Sequence, residues 1–235
     1  MTETIYTIPI NQAFEKREGC PFCRLRRELE ASSLEYILGP ALMEPDVRVE
    51  TNRLGFCARH YGSLLEMKNR LGLALLVETR LEEVRRLFET HSANVKKPLG
   101  IKKREVSGAE EISGAAGSCF VCRRIEVFEE KYISNAVFMS RRDPDFREKF
   151  KQQPFFCLKH TGALLEAAVS SLPDKKQDEF RNELLSVNVN RLEKLMEDLQ
   201  GFIRSFDHRF AGAGLTPEQR GSLERCIEFL SGGNK

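Results

Sequence analysis

A chain of 235 residues, 41% hydrophobic and 31% charged, can bury a sizeable core as one large domain or two small ones. Its 37 Lys and Arg against 35 Asp and Glu leave a net charge of +2 with both signs interspersed, which excludes the basic field of a dedicated nucleic-acid binder. The central apolar run Leu73 to Val77 falls far short of the roughly 18 residues of a membrane span. Met1 to Ile10 carries neither a basic n-region nor an apolar h-region, so a cytoplasmic protein away from membranes is expected.

Residues 4–10 alternate weakly around Pro9, which suggests a short edge strand or extended arm. A helix is predicted to open at Pro21, with Phe22, Leu25, Leu29 and Tyr36 on one face, and to end at Gly39-Pro40. Pro45 opens a short helix that Leu54-Gly55 closes. Cys57 begins another, with Tyr61, Leu64 and Leu65 inward and a break near Gly72, and Leu73 to Phe88 continues at helical spacing. The basic run Lys96, Lys97, Lys102, Lys103 and Arg104, then a stretch of Gly, Ser and Ala over 106–118, predict a mobile linker.

Beyond the linker the plan repeats, with Ser171-Leu172-Pro173-Asp174 as its turn. The helix that follows is longer. Leu185, Leu192, Leu199 and Phe206 stand seven apart on it, with Val189, Met196 and Ile203 beside them, the pattern of a core or helix–helix seam. Thr216-Pro217-Glu218-Gln219 is a capping box that opens a final helix with Leu223, Cys226, Ile227 and Leu230 on one side. Strand signals are nearly absent. The predicted fold is all-α: two tandem copies of one helical unit at 1–105 and 119–235, with a longer C-terminal helix and a capping helix.

The chemistry lies in the cysteines. Seven is an odd number, against a complete set of internal disulfides, and close Cys pairs in a cytosolic chain read as metal ligands or redox groups. Cys20-Pro-Phe-Cys23 is followed by Cys57-Ala-Arg-His60, and Cys119-Phe-Val-Cys122 by Cys157-Leu-Lys-His160. The register runs beyond these eight. At an offset of 99, Arg24 maps onto Arg123, Glu30 onto Glu129, and Pro45, Asp46 and Arg48 onto Pro144, Asp145 and Arg147. After one inserted residue the offset is 100, and Phe56, Gly62, Leu64, Leu65 and Glu66 map onto Phe156, Gly162, Leu164, Leu165 and Glu166. A nearly constant offset across residues that are not ligands is the trace of an internal duplication.

A C-x2-C at a helix start points two sulfurs at one centre, and a C-x2-H places its pair as i, i+3 neighbours. Two such pairs supply the corners of a tetrahedron, and three thiolates with one imidazole suit zinc. Two zinc ions per chain are expected, with ligands pairing within each copy as the simplest assignment: Cys20, Cys23, Cys57 and His60, then Cys119, Cys122, Cys157 and His160. A cross-braced pairing, in which the two C-x2-C pairs share one ion, and an iron–sulfur cluster are the alternatives; cluster sites are usually all-cysteine. Three thiolates leave such a site at −1, which helix N-terminal amides and Arg24 or Arg123 would offset. Cys226 reads as core, and His91 as solvated. His208 stands among aromatics without a nucleophile motif or a phosphate loop, so no catalytic residue is assigned.

The segments Tyr6-Thr-Ile-Pro-Ile-Asn-Gln-Ala-Phe-Glu15, Cys20-Pro-Phe-Cys-Arg-Leu25, Met43-Glu-Pro-Asp-Val-Arg48 and Thr51-Asn-Arg-Leu-Gly-Phe-Cys57 are similar to a bacterial family of unknown function. Its members have about this length, and they occur mainly in anaerobic Gram-positive bacteria. The resemblance covers nearly the whole chain but implies no activity. Two functional classes follow from the residues themselves. One is a non-catalytic zinc scaffold for a partner protein, since four protein ligands leave no open position. The other is a thiol- or metal-based redox sensor, or a metal-dependent enzyme.

Overall fold

The computed structural model describes residues 5–92, 108–207, 209 and 214–233. They form helices and turns, and no strand occurs among them. The basic run at 96–104, the linker residues 106–107 and His208 lie outside the described residues.

In chain order the helices are α1 (Thr7–Glu15), α2 (Pro21–Leu38), a 3-10 turn (Pro40–Met43), α3 (Pro45–Leu54), α4 (Ala58–Glu66) and α5 (Arg70–Ser92). Then come α6 (Ala109–Gly117), α7 (Phe120–Arg142), α8 (Pro144–Lys151), α9 (Leu158–Ser171), α10 (Asp174–Arg204), α11 (Pro217–Arg220) and α12 (Ser222–Ser231). The order α2 to α5 is thus repeated by α7 to α10, with a prolyl start at α3 and at α8.

Three stretches differ from the sequence reading. Residues 7–15 form a helix, not a strand, because Ile10, Ala13 and Phe14 share one buried face. Pro9 is tolerated there because it falls in the first turn, where its missing N–H would have no partner anyway. Ala109–Gly117, inside the expected linker, is helical too, although none of its residues is buried. The last helix is interrupted at Gly221, after the capping box forms as expected between Thr216 and Gln219.

The chain divides into two compact units that cut across the sequence copies: Met1–Glu28 with Val127–Lys235, and Leu29–Glu126. The division falls inside α2 and inside α7. In the first unit α1, α8, α9, α10 and α12 surround an aromatic core. Phe14 lies 5.7 Å from Phe22 and 4.8 Å from Phe146, and Phe150 stacks 4.6 Å from Phe156. Burial of such rings, at ~25 cal/mol per Å² of apolar surface, is the main stabilising contribution here. At its edge Arg141 and Arg147 both pair with Glu183, tying the end of α7 and the face of α8 to α10.

In the second unit α3 packs along α5, and Arg48 and Asn52 of α3 both bond Thr79 of α5. Leu64 is buried as expected, but Leu65 is exposed. No helix among the described residues is long and apolar enough to cross a membrane.

Candidate metal centre

Each unit gathers three cysteines and one histidine, and each gathering mixes the two copies. Cys20 and Cys23 meet Cys157 and His160 in the first unit, and Cys57 and His60 meet Cys119 and Cys122 in the second. The within-copy pairing expected from the sequence is therefore overturned. The C-x2-C of one copy faces the C-x2-H of the other.

The physical reason lies in the residues between the ligands. Phe22, between Cys20 and Cys23, is buried in the aromatic core that the second copy builds, 6.2 Å from Phe156 and 5.6 Å from the His160 ring. In the second unit the Phe120 amide donates to the Gly55 carbonyl at 2.9 Å, and the Ser118 hydroxyl donates to the Leu54 carbonyl at 2.7 Å. These two bonds hold the start of α7 against the end of α3, just before Cys57. Gly55 sits at φ 59°, a conformation that glycine adopts without the Cβ penalty.

The donor atoms fit a tetrahedral ion. An ion bound at about 2.3 Å by sulfur and about 2.0–2.1 Å by nitrogen requires sulfurs about 3.8 Å apart and sulfur–nitrogen edges of about 3.5 Å. Cys23 and Cys157 sulfurs stand 3.6 Å apart, and those of Cys57 and Cys122 stand 3.9 Å apart. His160 Nδ1 lies 3.5 Å from Cys20, 3.5 Å from Cys23 and 3.0 Å from Cys157. His60 Nδ1 lies 3.2 Å from Cys57, 3.2 Å from Cys119 and 3.5 Å from Cys122.

In both centres Nδ1 faces the sulfurs, and Nε2 bonds a carboxylate. His160 Nε2 lies 2.7 Å from Glu129, and His60 Nε2 lies 2.9 Å from Glu30. A carboxylate on the far nitrogen fixes the tautomer and raises the basicity of the ligand nitrogen. Each carboxylate also holds a cation from the residue just before the histidine: Lys159 at 3.1 Å from Glu129 and Arg59 at 3.0 Å from Glu30, with Arg26 a further 2.8 Å partner of Glu129. Burial works against Glu129, yet the His160 hydrogen bond and the charges of Arg26, His160 and Lys159 bring its pKa down to about 2.

These carboxylates were visible in the sequence as Glu30 and Glu129, matched at the offset of the C-x2-C pairs, but nothing in the spacing gave them a role. The arginines expected to balance the sulfurs do not serve there. Arg24 is buried and donates to the carbonyls of Ala13 at 2.7 Å and Lys16 at 2.8 Å, closing the end of α1. Arg123 is exposed.

Cys57 and Cys157 occupy the N-caps of α4 and α9, beside free first-turn amides. Hydrogen bonds from Cys20 and Cys23, against partial burial, and the His160 and Lys159 amides hold the Cys157 thiol down to about 3. Burial pushes Cys20 well above the ordinary thiol value, and burial together with Cys119 and Cys57 pushes Cys122 up to about 12. A cation bound by thiolates displaces the protons of the thiols that burial favours.

The two centres differ in cover. All four ligands of the first are buried, whereas Cys57 and Cys122 of the second are half-buried. At the first, Gly232 (φ 80°) brings the chain across the sulfurs, and the Gly233 amide donates to Cys23 at 3.4 Å. Cys226 is half-buried against the core, as expected for a structural thiol. His91 is bonded to Glu111 at 3.0 Å instead of standing free in water.

The fold and these donor sets define an all-helical protein with two Cys3His clusters that could hold metal ions. The chain belongs to the DUF6062 family, a family of unknown function, which it matches over residues 1–235. It is also similar to an uncharacterized 23.9 kDa protein in the xynA 3' region of Caldicellulosiruptor sp. (strain Rt8B.4), at 20% identity over 219 residues, 92% of this chain and 97% of that one. No solved structure matches it.

Proposed function

We propose that this is a cytoplasmic zinc protein in which two Cys3His centres brace duplicated helical halves into a non-catalytic scaffold for a partner protein. The observation that carries this reading is the closed donor set. Three sulfurs and one nitrogen meet around each centre at tetrahedral spacing, and a fully protein-ligated ion has no position for water or substrate. Thiolates with one imidazole suit zinc over harder divalent ions.

Protein purified without oxygen should be colourless and contain two equivalents of zinc per chain by elemental analysis. A brown protein with iron and acid-labile sulfide would refute the zinc assignment. The carboxylates supply a finer test. Replacing Glu30 or Glu129 by Ala should weaken its own centre about 10–100-fold in a competition titration with a chromophoric chelator. An unchanged affinity would reduce each carboxylate to a surface ion pair.

One observation favours a second reading for the second centre. Cys57 and Cys122 are half-buried, so oxidant can reach them, and a redox sensor would release its ion there with disulfide formation. Retention of both ions through peroxide exposure supports the scaffold; loss of one, reversible by thiol reductant, supports the sensor.

A further inference from the structure

The seven-residue stripe of α10 does not lie in the core. The buried face of this helix is Phe180, Leu184, Asn188 and Leu195, and the stripe runs along the neighbouring face. Leu185, Val189 and Leu192 are exposed, Met196 is 58%, Ile203 60% and Phe206 77% exposed, and Leu199 is half-buried. We propose that this face is the seam of a two-stranded coiled coil with α10 of a second copy of the chain.

Four observations commit it to that occupant. First, the spacing alternates four and three from Leu185 to Ile203 without a polar interruption, extending ~27 Å along α10 at 1.5 Å per residue, and Phe206 continues it in the turn after the helix. A globular surface has no use for so regular an apolar row, whereas knobs-into-holes packing requires it. Secondly, Val189, Met196 and Ile203 fall at the a positions, and Leu185, Leu192 and Leu199 at d. Two of the three a positions, Val189 and Ile203, are β-branched, and β-branched residues at a with leucine at d favour two strands over three or four.

Thirdly, the flanks permit self-pairing. The e positions are Ser186, Glu193 and Gln200, with one charge among them, and Asn188 and Leu195 at g are buried in their own chain. No row of like charges would face its own image. Fourthly, joining two such stripes buries on the order of 1,200 Å² in total, the lower bound of stable protein–protein interfaces. A face that is its own complement closes with two-fold symmetry and leaves no unpaired stripe.

The test is the mass of the full-length, metal-loaded protein in solution, by sedimentation equilibrium at 1–100 µM. The expected mass is twice the 26.9 kDa of one chain. Met196→Lys should shift it to that of one chain. Ile203→Glu should do the same by a second, independent change on the seam. Both positions are exposed, so helical circular dichroism and zinc content should be retained in either variant. Lys194→Glu, also exposed on α10 but off the stripe, should leave the dimer intact. A wild-type protein that stays monomeric at 100 µM overturns the proposal. So does a dimer that survives both seam variants, or one that Lys194→Glu dissociates equally.

Discussion

Protein carrying Cys57→Ser with Cys119→Ser should retain one equivalent of metal per chain, whereas Cys57→Ser with Cys20→Ser should retain none. The expectation follows from the exchange of ligand pairs between the copies. Cys57 and Cys119 are corners of one centre, so the second substitution removes nothing that the first had not already disabled. Cys57 and Cys20 belong to different centres, so each substitution removes its own ion. If ligands paired within each copy, the outcomes would be reversed, because Cys20 and Cys57 would then share an ion. Elemental analysis of the two double variants decides between the arrangements, with the difference amounting to a whole equivalent. The single variants are not informative, since both arrangements predict the loss of one ion.

The second large effect is on stability, and it should be unequal between the units. The first unit has a large core of packed aromatic rings, among them Phe14, Phe146, Phe150, Phe156 and Phe180, that extends well beyond its metal centre. The second relies on a smaller set, including Leu54, Phe56, Leu64, Leu76 and Val121, around short helices such as α3 and α4. Helices shorter than about 12–15 residues are marginal in water without tertiary support.

Metal binding free energy that depends on the folded site is folding free energy. Removal of the ions by a strong chelator should therefore cost the Leu29–Glu126 unit about 3–5 kcal/mol, and lower its Tm by about 12 °C or more at 4–8 °C per kcal/mol for a unit of this size. Hydrogen exchange measured by mass spectrometry should show α3 and α4 losing protection first, while α8 and α10 keep theirs. Cys226→Ser should leave both metals and the melting profile unchanged apart from local packing. No loss in either unit would place the stabilisation elsewhere than in the metal centres, and equal loss in both would refute the difference between the units.

The sequence by itself determined much of this protein. Helix boundaries marked by Pro21, Pro45, Gly55, Pro144 and the Thr216–Gln219 box were legible because each acts on its own backbone within one turn. The eight residues of the two Cys3His clusters were legible because a tetrahedral thiolate site demands i, i+3 pairs, and those pairs stand out at a nearly constant offset. Periodicity also placed the apolar stripe of α10 in the right residues. Periodicity reports only that residues share a face, however, and Leu185 to Ile203 share a face that their own chain leaves largely exposed.

The tertiary structure decided what local rules leave open. Which C-x2-C meets which C-x2-H depends on where Phe22 finds its aromatic neighbours and on the bond from the Phe120 amide to the Gly55 carbonyl, contacts between segments far apart in sequence. The duplication made within-copy pairing look simplest, yet a pair of similar halves can exchange partners without changing a single spacing. Glu30 and Glu129 became carboxylate supports only once the histidine Nε2 atoms stood within hydrogen-bond reach. Arg24, adjacent to Cys23 in sequence, turned away to the end of α1, where the carbonyls of Ala13, Lys16 and Glu18 accept from its guanidinium. Sequence neighbourhood sets a residue's type and helix face; its partner is set by the packing of the helices.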